Sequence, residues 1–99
     1  MNKTDILVHL KNIKPKYEQE GLILLGLFGS YAKNTQTKFS DIDIAYKLNY
    51  NQFSKKYKDG FAKLLRIEDI KDELKQILKK DIDLIPDNNQ SIMKGLIYV

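Results

Sequence analysis

The sequence predicts an α/β (α+β) fold, a small mixed β-sheet with helices packed on it. Apolar residues recur at helical spacing in two long segments, and they alternate or run together in three short ones. Helical and extended segments are interleaved along the chain, which favours a sheet covered by helices. The 99 residues suit one core, so residues 1–99 are expected to form a single domain.

Asn2 or Thr4 can cap a first helix whose apolar face is Ile6, Leu10, Ile13 and Tyr17. Pro15 lacks an N–H and is expected to kink that helix or open a second short one. Gly21 is expected to end it. Leu22-Ile23-Leu24-Leu25-Gly26-Leu27-Phe28 is almost continuously apolar and predicts a strand buried on both faces. Residues 31–40 read as a polar loop, with room for one helical turn after Ser30. Asp41–Tyr46 alternates and predicts a second strand.

From about Asn51 to Lys80 the period is helical, with Gly60 as a plausible break. Phe61, Leu64, Leu65, Ile67, Ile70, Leu74, Ile77 and Leu78 supply its apolar stripe, and Tyr50 and Tyr57 read as core or helix-flank residues. Asp69, Asp72 and Glu73 read as an exposed helix face. Asp81–Ile85 is a third alternating strand, stopped by Pro86-Asp87-Asn88. Ser91–Val99 carries no decisive pattern.

Composition narrows the function. The absence of cysteine excludes disulfides and thiolate chemistry. Lys3, Asp5, His9 and Lys11 interrupt the N-terminal apolar residues, and no run approaches the ~18 apolar residues of a membrane span. A cytoplasmic protein without a membrane partner is the expectation. The net charge is +4, and residues 47–80 concentrate the lysines. That segment reads first as a solvated helix surface. Without interleaved aromatics, a nucleic-acid face is the weaker reading.

The chemistry lies in the alternation. Residues two apart on a strand share a face, so Asp41 and Asp43 project together while Ile42 and Ile44 turn to the core. Paired carboxylates repel each other unless a cation sits between them, and oxygen-rich sites suit magnesium. Asp81-Ile82-Asp83 repeats the arrangement. A third acid on a neighbouring strand would complete the set that two metals ~3.5–4 Å apart use for displacement at phosphorus. Gly29-Ser30 directly follows the apolar strand. Glycine lets backbone approach a phosphate closely, and successive N–H groups there can cradle an anion.

The stretch F-G-S-Y-A-K-N-T-Q-T-K-F-S-D-I-D-I resembles the signature of the minimal nucleotidyltransferases of the DNA polymerase beta superfamily: Gly-Ser, ten residues, then Asp-x-Asp. The later D-I-D-L-I is similar to that family's third-acid strand. The resemblance implies that Gly29, Ser30 and Lys33 hold the triphosphate of ATP. It implies that Asp41, Asp43 and Asp83 bind two Mg2+ ions, with Asp83 activating the attacking hydroxyl. Asp83 is preferred to Asp81 because Ile82 and Leu84 would bury the strand around it and fix its carboxylate. Asp81 would cap the helix–strand junction. Many relatives have Arg-Gly where this chain has Lys33-Asn34. Lysine keeps the charge without the bidentate fork, and asparagine tolerates left-handed backbone.

Small members of the resembled family act as antitoxins that modify a tyrosine of a HEPN-domain toxin. The resemblance therefore implies AMP transfer from ATP to an acceptor hydroxyl on such a partner. The alternatives are a small-molecule nucleotidyltransferase, which usually carries a second domain, and a non-catalytic antitoxin that works by binding.

Overall fold

The computed structural model of the protein describes residues 1–88 and 90–99. The element order is α1 (Lys3–Glu18), β1 (Leu22–Phe28), α2 (Gly29–Lys33), β2 (Ile42–Leu48), α3 (Tyr50–Lys56), α4 (Gly60–Leu78), β3 (Ile82–Pro86), α5 (Gln90–Met93) and β4 (Ile97–Tyr98). The four strands form one mixed sheet in the order β3-β2-β1-β4. β1 runs antiparallel to β2 and β4, and β2 runs parallel to β3. A parallel neighbour requires a crossover, which α3 and α4 supply.

Asn2 caps α1 in a reciprocal capping box with Asp5. Pro15 does not start a second helix, because α1 runs through it. Pro15 and Lys11, four residues earlier, are both exposed, so the carbonyl left without a donor lies on a hydrated turn. Gly21 follows the helix end with φ of 99°.

β1 is buried on one face only. Leu22, Leu24 and Leu27 are fully buried, whereas Ile23, Leu25 and Phe28 are half-buried. A bulge between Leu24 and Gly26 shifts the register by one residue. The side-chain alternation slips there, so Gly26 and Leu27 are both buried, while the apolar Ile23 and Leu25 on the half-covered face make the strand read as continuously apolar. At Gly26 an added Cβ would stand 2.0 Å from the Ile97 carbonyl oxygen. β4, undecided in the sequence, therefore depends on a bare backbone at Gly26.

The core joins Ile6, Leu10 and Tyr17 of α1 to Ile70, Leu74 and Leu78 of α4 across Leu24, Leu27, Ile42, Ile44 and Ile82 of the sheet. The apolar stripe predicted for α4 is too long. Phe61, Leu64 and Leu65 are 70%, 55% and 50% exposed, and Tyr50 is also exposed. Only the second half of α4 lies on the sheet, through its contacts with β3. Among the described residues no helix is long and apolar enough to cross a membrane.

Candidate active site

Ile42 and Ile44 are fully buried against the helices, so the intervening Asp43 projects from the opposite face of β2. The parallel register sets Asp43 beside Asp83 and Ile42 beside Ile82. The two carboxylates face each other across adjacent strands. Asp43 is half-buried, while Asp83 is exposed, which corrects the expectation of a buried Asp83. Burial, and next the charge and hydrogen bond of Asp83, push the Asp43 carboxyl up to about 6, with a smaller push from Asp41.

Phe28, the last residue of β1, pairs with Asp43, so the chain turns directly over that carboxylate at Gly29. Gly29 has φ of 74°, and a Cβ there would stand 2.0 Å from Asp43 Oδ2. The glycine thus has a steric duty toward Asp43 that spacing alone does not reveal. Ser30 is half-buried in α2, and its carbonyl accepts from the Thr35 N–H at 2.9 Å. Lys33 is exposed in the last turn of α2. Asn34 ends that helix in the left-handed region at φ 58°, the conformation asparagine accommodates. Tyr31 is buried in the core cluster, which assigns it to packing rather than to a base-stacking face.

Asp41 precedes β2 and is exposed. It lines a cavity of about 300 Å³ together with Asp83, Asp81, Glu68, Asp72 and Lys71. Asp81 takes a different partner. Its carboxylate stands 2.9 Å from Lys75 Nζ, which holds it below the usual carboxylate range. Register and pairing therefore bring Asp83, and not Asp81, to Asp43.

Among the described residues no three acidic or histidine side chains already close into a metal cage. What exists is a tight pair, Asp43 with Asp83, and an exposed Asp41 acting on it through space. Burial and then the Asp83 carboxylate push Asp43 up, and among the described residues no cationic side chain pairs with it. All-oxygen donors of this kind fit a hard divalent cation.

A second group of acids escaped the sequence reading. Arg66 Nη2 meets Glu20 at 2.7 Å, and Arg66 Nη1 meets Glu73 at 2.8 Å. The Tyr17 hydroxyl donates to Glu73 at 2.9 Å, and the Tyr57 hydroxyl donates to Glu20. Glu73 is thus a bridging residue and not part of a solvated face. Arg66 is the sole arginine beside sixteen lysines, a signal that a fork-shaped donor is needed at that position.

The chain's relatives match this architecture. The sequence profile of the family "Polymerase beta, Nucleotidyltransferase" matches residues 9–98. Three Methanocaldococcus jannaschii proteins, each named "Putative protein adenylyltransferase", are 34%, 40% and 33% identical to it. Each alignment covers 92% of this chain and 87% of the relative. A solved structure, "Crystal structure of the toxin-antitoxin with AMP-PNP", superposes with a TM-score of 0.51 at 29% identity. That match covers 94% of this chain and 64% of the other, so this chain spans somewhat less than two thirds of that neighbour. The mixed sheet, the Gly-Ser turn over an Asp-x-Asp strand and the family match together make this chain a nucleotidyltransferase of the polymerase beta family.

Proposed function

We propose that residues 1–99 act as one magnesium-dependent adenylyltransferase domain that moves AMP from ATP to a tyrosine hydroxyl of a HEPN-domain toxin, as a cytoplasmic antitoxin. The observation that supports this most is the register of Asp43 beside Asp83 directly beneath Gly29. It sets a carboxylate pair at the foot of a turn whose backbone is free of side chain. The names carried by the relatives, and the toxin–antitoxin neighbour with AMP-PNP, point to the same nucleotide and setting.

Gly29 and Ser30 hold the β- and γ-phosphates through backbone N–H groups and the serine hydroxyl, and Lys33 adds charge at the rim. Asp41, Asp43 and Asp83 would hold two Mg2+ ions, which neutralise phosphate charge when bound. On the acceptor side, the Asp83 carboxylate takes the proton of the attacking hydroxyl. The new bond joins the acceptor oxygen to the α-phosphorus. The bond to the β-phosphate breaks, and pyrophosphate leaves. Asp83 suits this role because it is the exposed member of the pair, reachable by an acceptor.

The test incubates the protein with ATP labelled at the α-phosphate, magnesium and the protein encoded beside it. Label on a tyrosine of the partner, lost in Asp43→Asn, is the expected result. Label on a small molecule, or none on any protein, overturns this reading.

A further inference from the structure

Next to the acid pair lies a cavity of about 560 Å³ bordered by Lys38, Lys75, Lys79, Lys80 and Phe39, and it reaches Asp41 and Asp81. It shares Asp41, Lys75 and Asp81 with the smaller cavity that contains Asp83. The two therefore make one groove, lysine-rich at one end and acidic at the end where chemistry is proposed. Lysines at a helix C-terminus commonly answer the helix dipole, and Lys75 and Lys80 have such local duties. Lys75 pairs with Asp81, and Lys80 Nζ donates to the Lys38 carbonyl at 2.6 Å.

Lys79 and Lys38 are different. Lys79 ends α4 at φ 57°, a left-handed position that glycine fills at less cost. A lysine nonetheless occupies it, and its side chain borders the groove. Lys38 lies with Nζ 5.1 Å from the ring centre of Phe39, a phenylalanine that is 81% exposed. An exposed aromatic carrying a cation, beside a strained lysine, is a surface prepared for an anionic ligand with an apolar component.

We propose that this groove binds an acidic polypeptide segment, whose carboxylates meet Lys38 and Lys79 while a tyrosine several residues away reaches Asp83. Single-stranded nucleic acid fits less well. It wants successive stacking platforms along a continuous basic track, whereas among the described residues Phe39 is the single aromatic lining the groove and the track ends on Asp41 and Asp81. A peptide can put its acidic residues only where the lysines are. Naming that peptide an acceptor rests on the transfer reading above, but its binding requires no ATP.

The experiment measures fluorescence anisotropy of a labelled peptide with one tyrosine and a distal run of glutamates. A serine analogue and an oligoadenylate of equal charge are measured beside it. The glutamate peptide should bind best. Lys38→Gln and Lys79→Gly should each weaken it by about two- to fivefold, the range of an exposed charge pair. Lys79→Gly should also match or exceed the wild-type melting temperature, because glycine relieves the left-handed backbone. Equal binding of the serine peptide, or unchanged affinity in both variants, overturns the proposal. Tighter binding of oligoadenylate overturns it in favour of nucleic acid. Asp43→Asn should still bind the glutamate peptide. A wild-type protein that binds this peptide yet labels no tyrosine in the presence of the neighbouring protein ends the transfer reading and supports the groove.

Discussion

Two groups of carboxylates stand on this small fold, and they are built in opposite ways. Glu20 and Glu73 are joined by one guanidinium and two phenols, so each has internal partners. The Arg66 hydrogen bond draws Glu20 below its usual range despite burial. Burial works to raise Glu73, and its bonds to Arg66 and Tyr17 outweigh that. Burial, and next the neighbouring Asp83 carboxylate, push Asp43 the other way, to about 6. The first group satisfies its charge within the chain and ties α1 to α4. The second has no cationic partner among the described residues, which is what the proposed cation and phosphate site requires.

The largest effect should come from the unsatisfied pair. Asp43→Asn removes the half-buried carboxylate proposed as a metal ligand and should lower transfer on the order of a thousandfold, the scale of losing metal-held charge stabilisation. The same change removes a repulsion, so in metal-free buffer its melting temperature should equal or exceed the wild-type value. A lower melting temperature would mean that Asp43 is a structural residue like Glu20. Gly29→Ala should lower magnesium and ATP binding together, since its Cβ would collide with Asp43 Oδ2. Isothermal titration can check both ligands, and a loss of ATP binding alone would return Gly29 to a purely phosphate-facing role. The left-handed φ should make the same variant about 1–2 kcal/mol less stable in urea.

Arg66→Met attacks the satisfied group. Arg66 and Glu20 side chains are 16% and 11% exposed, so removing the guanidinium strands Glu20. Glu73, at 35% exposed, recovers more hydration. The expected cost is about 2–3 kcal/mol by urea denaturation, below the full range for a buried pair because of that exposure. The pH profile follows from the directions. Glu20 and Glu73 lie below their ordinary 4.5 when folded, so their stabilisation is present above 4.5 and is lost as pH falls through the folded values. Burial, then the hydrogen bond to Glu20, raises the Tyr57 phenol from 10.0 to about 12, and Tyr17 moves the same way. The Tyr57 contribution is present below pH 10 and is lost as pH rises through about 12, and that of Tyr17 is lost in the same direction. Urea midpoints should form a plateau between these limits, and Arg66→Met should flatten its acid edge.

The same contrast explains what was legible in the sequence. Asp41, Asp43 and Asp83 belong to short alternating segments, where a period of two puts acids opposite apolar residues, so their faces can be read locally. Glu20, Arg66 and Glu73 meet only after α1 and α4 pack together, and nothing in the spacing of Glu73 among lysines marks it as bridging. The remaining misreadings have the same origin. β4 is two residues long and exists through its pairing with Gly26 and Leu27. Phe61, Leu64 and Leu65 keep helical spacing, yet α4 extends past the sheet before they could be covered. Gly29 could be placed at a phosphate turn, but its clearance over Asp43 is a contact between chain segments.

The smallest effect should come from Asp81, and it separates the two groups most finely. Asp81 shares the strand face of Asp83 by sequence, yet its carboxylate stays with Lys75, and both groups are largely exposed. Such a pair adds little to stability and nothing to the Asp43–Asp83 register. Asp81→Ala should therefore leave the melting temperature and magnesium affinity unchanged and keep transfer within about fivefold of wild type, whereas Asp83→Ala should abolish transfer and leave most ATP binding. There is one direction in which Asp81→Ala can differ. It releases Lys75 into the lysine-rich groove and removes a negative charge there, so an acidic peptide should bind slightly tighter. Anisotropy with the glutamate peptide would detect this, and the gain should fade with added salt as exposed charges are screened. An inactive Asp81 variant beside an active Asp83 variant would mean that Asp81 is the acid serving the acceptor, whatever the strand register suggests.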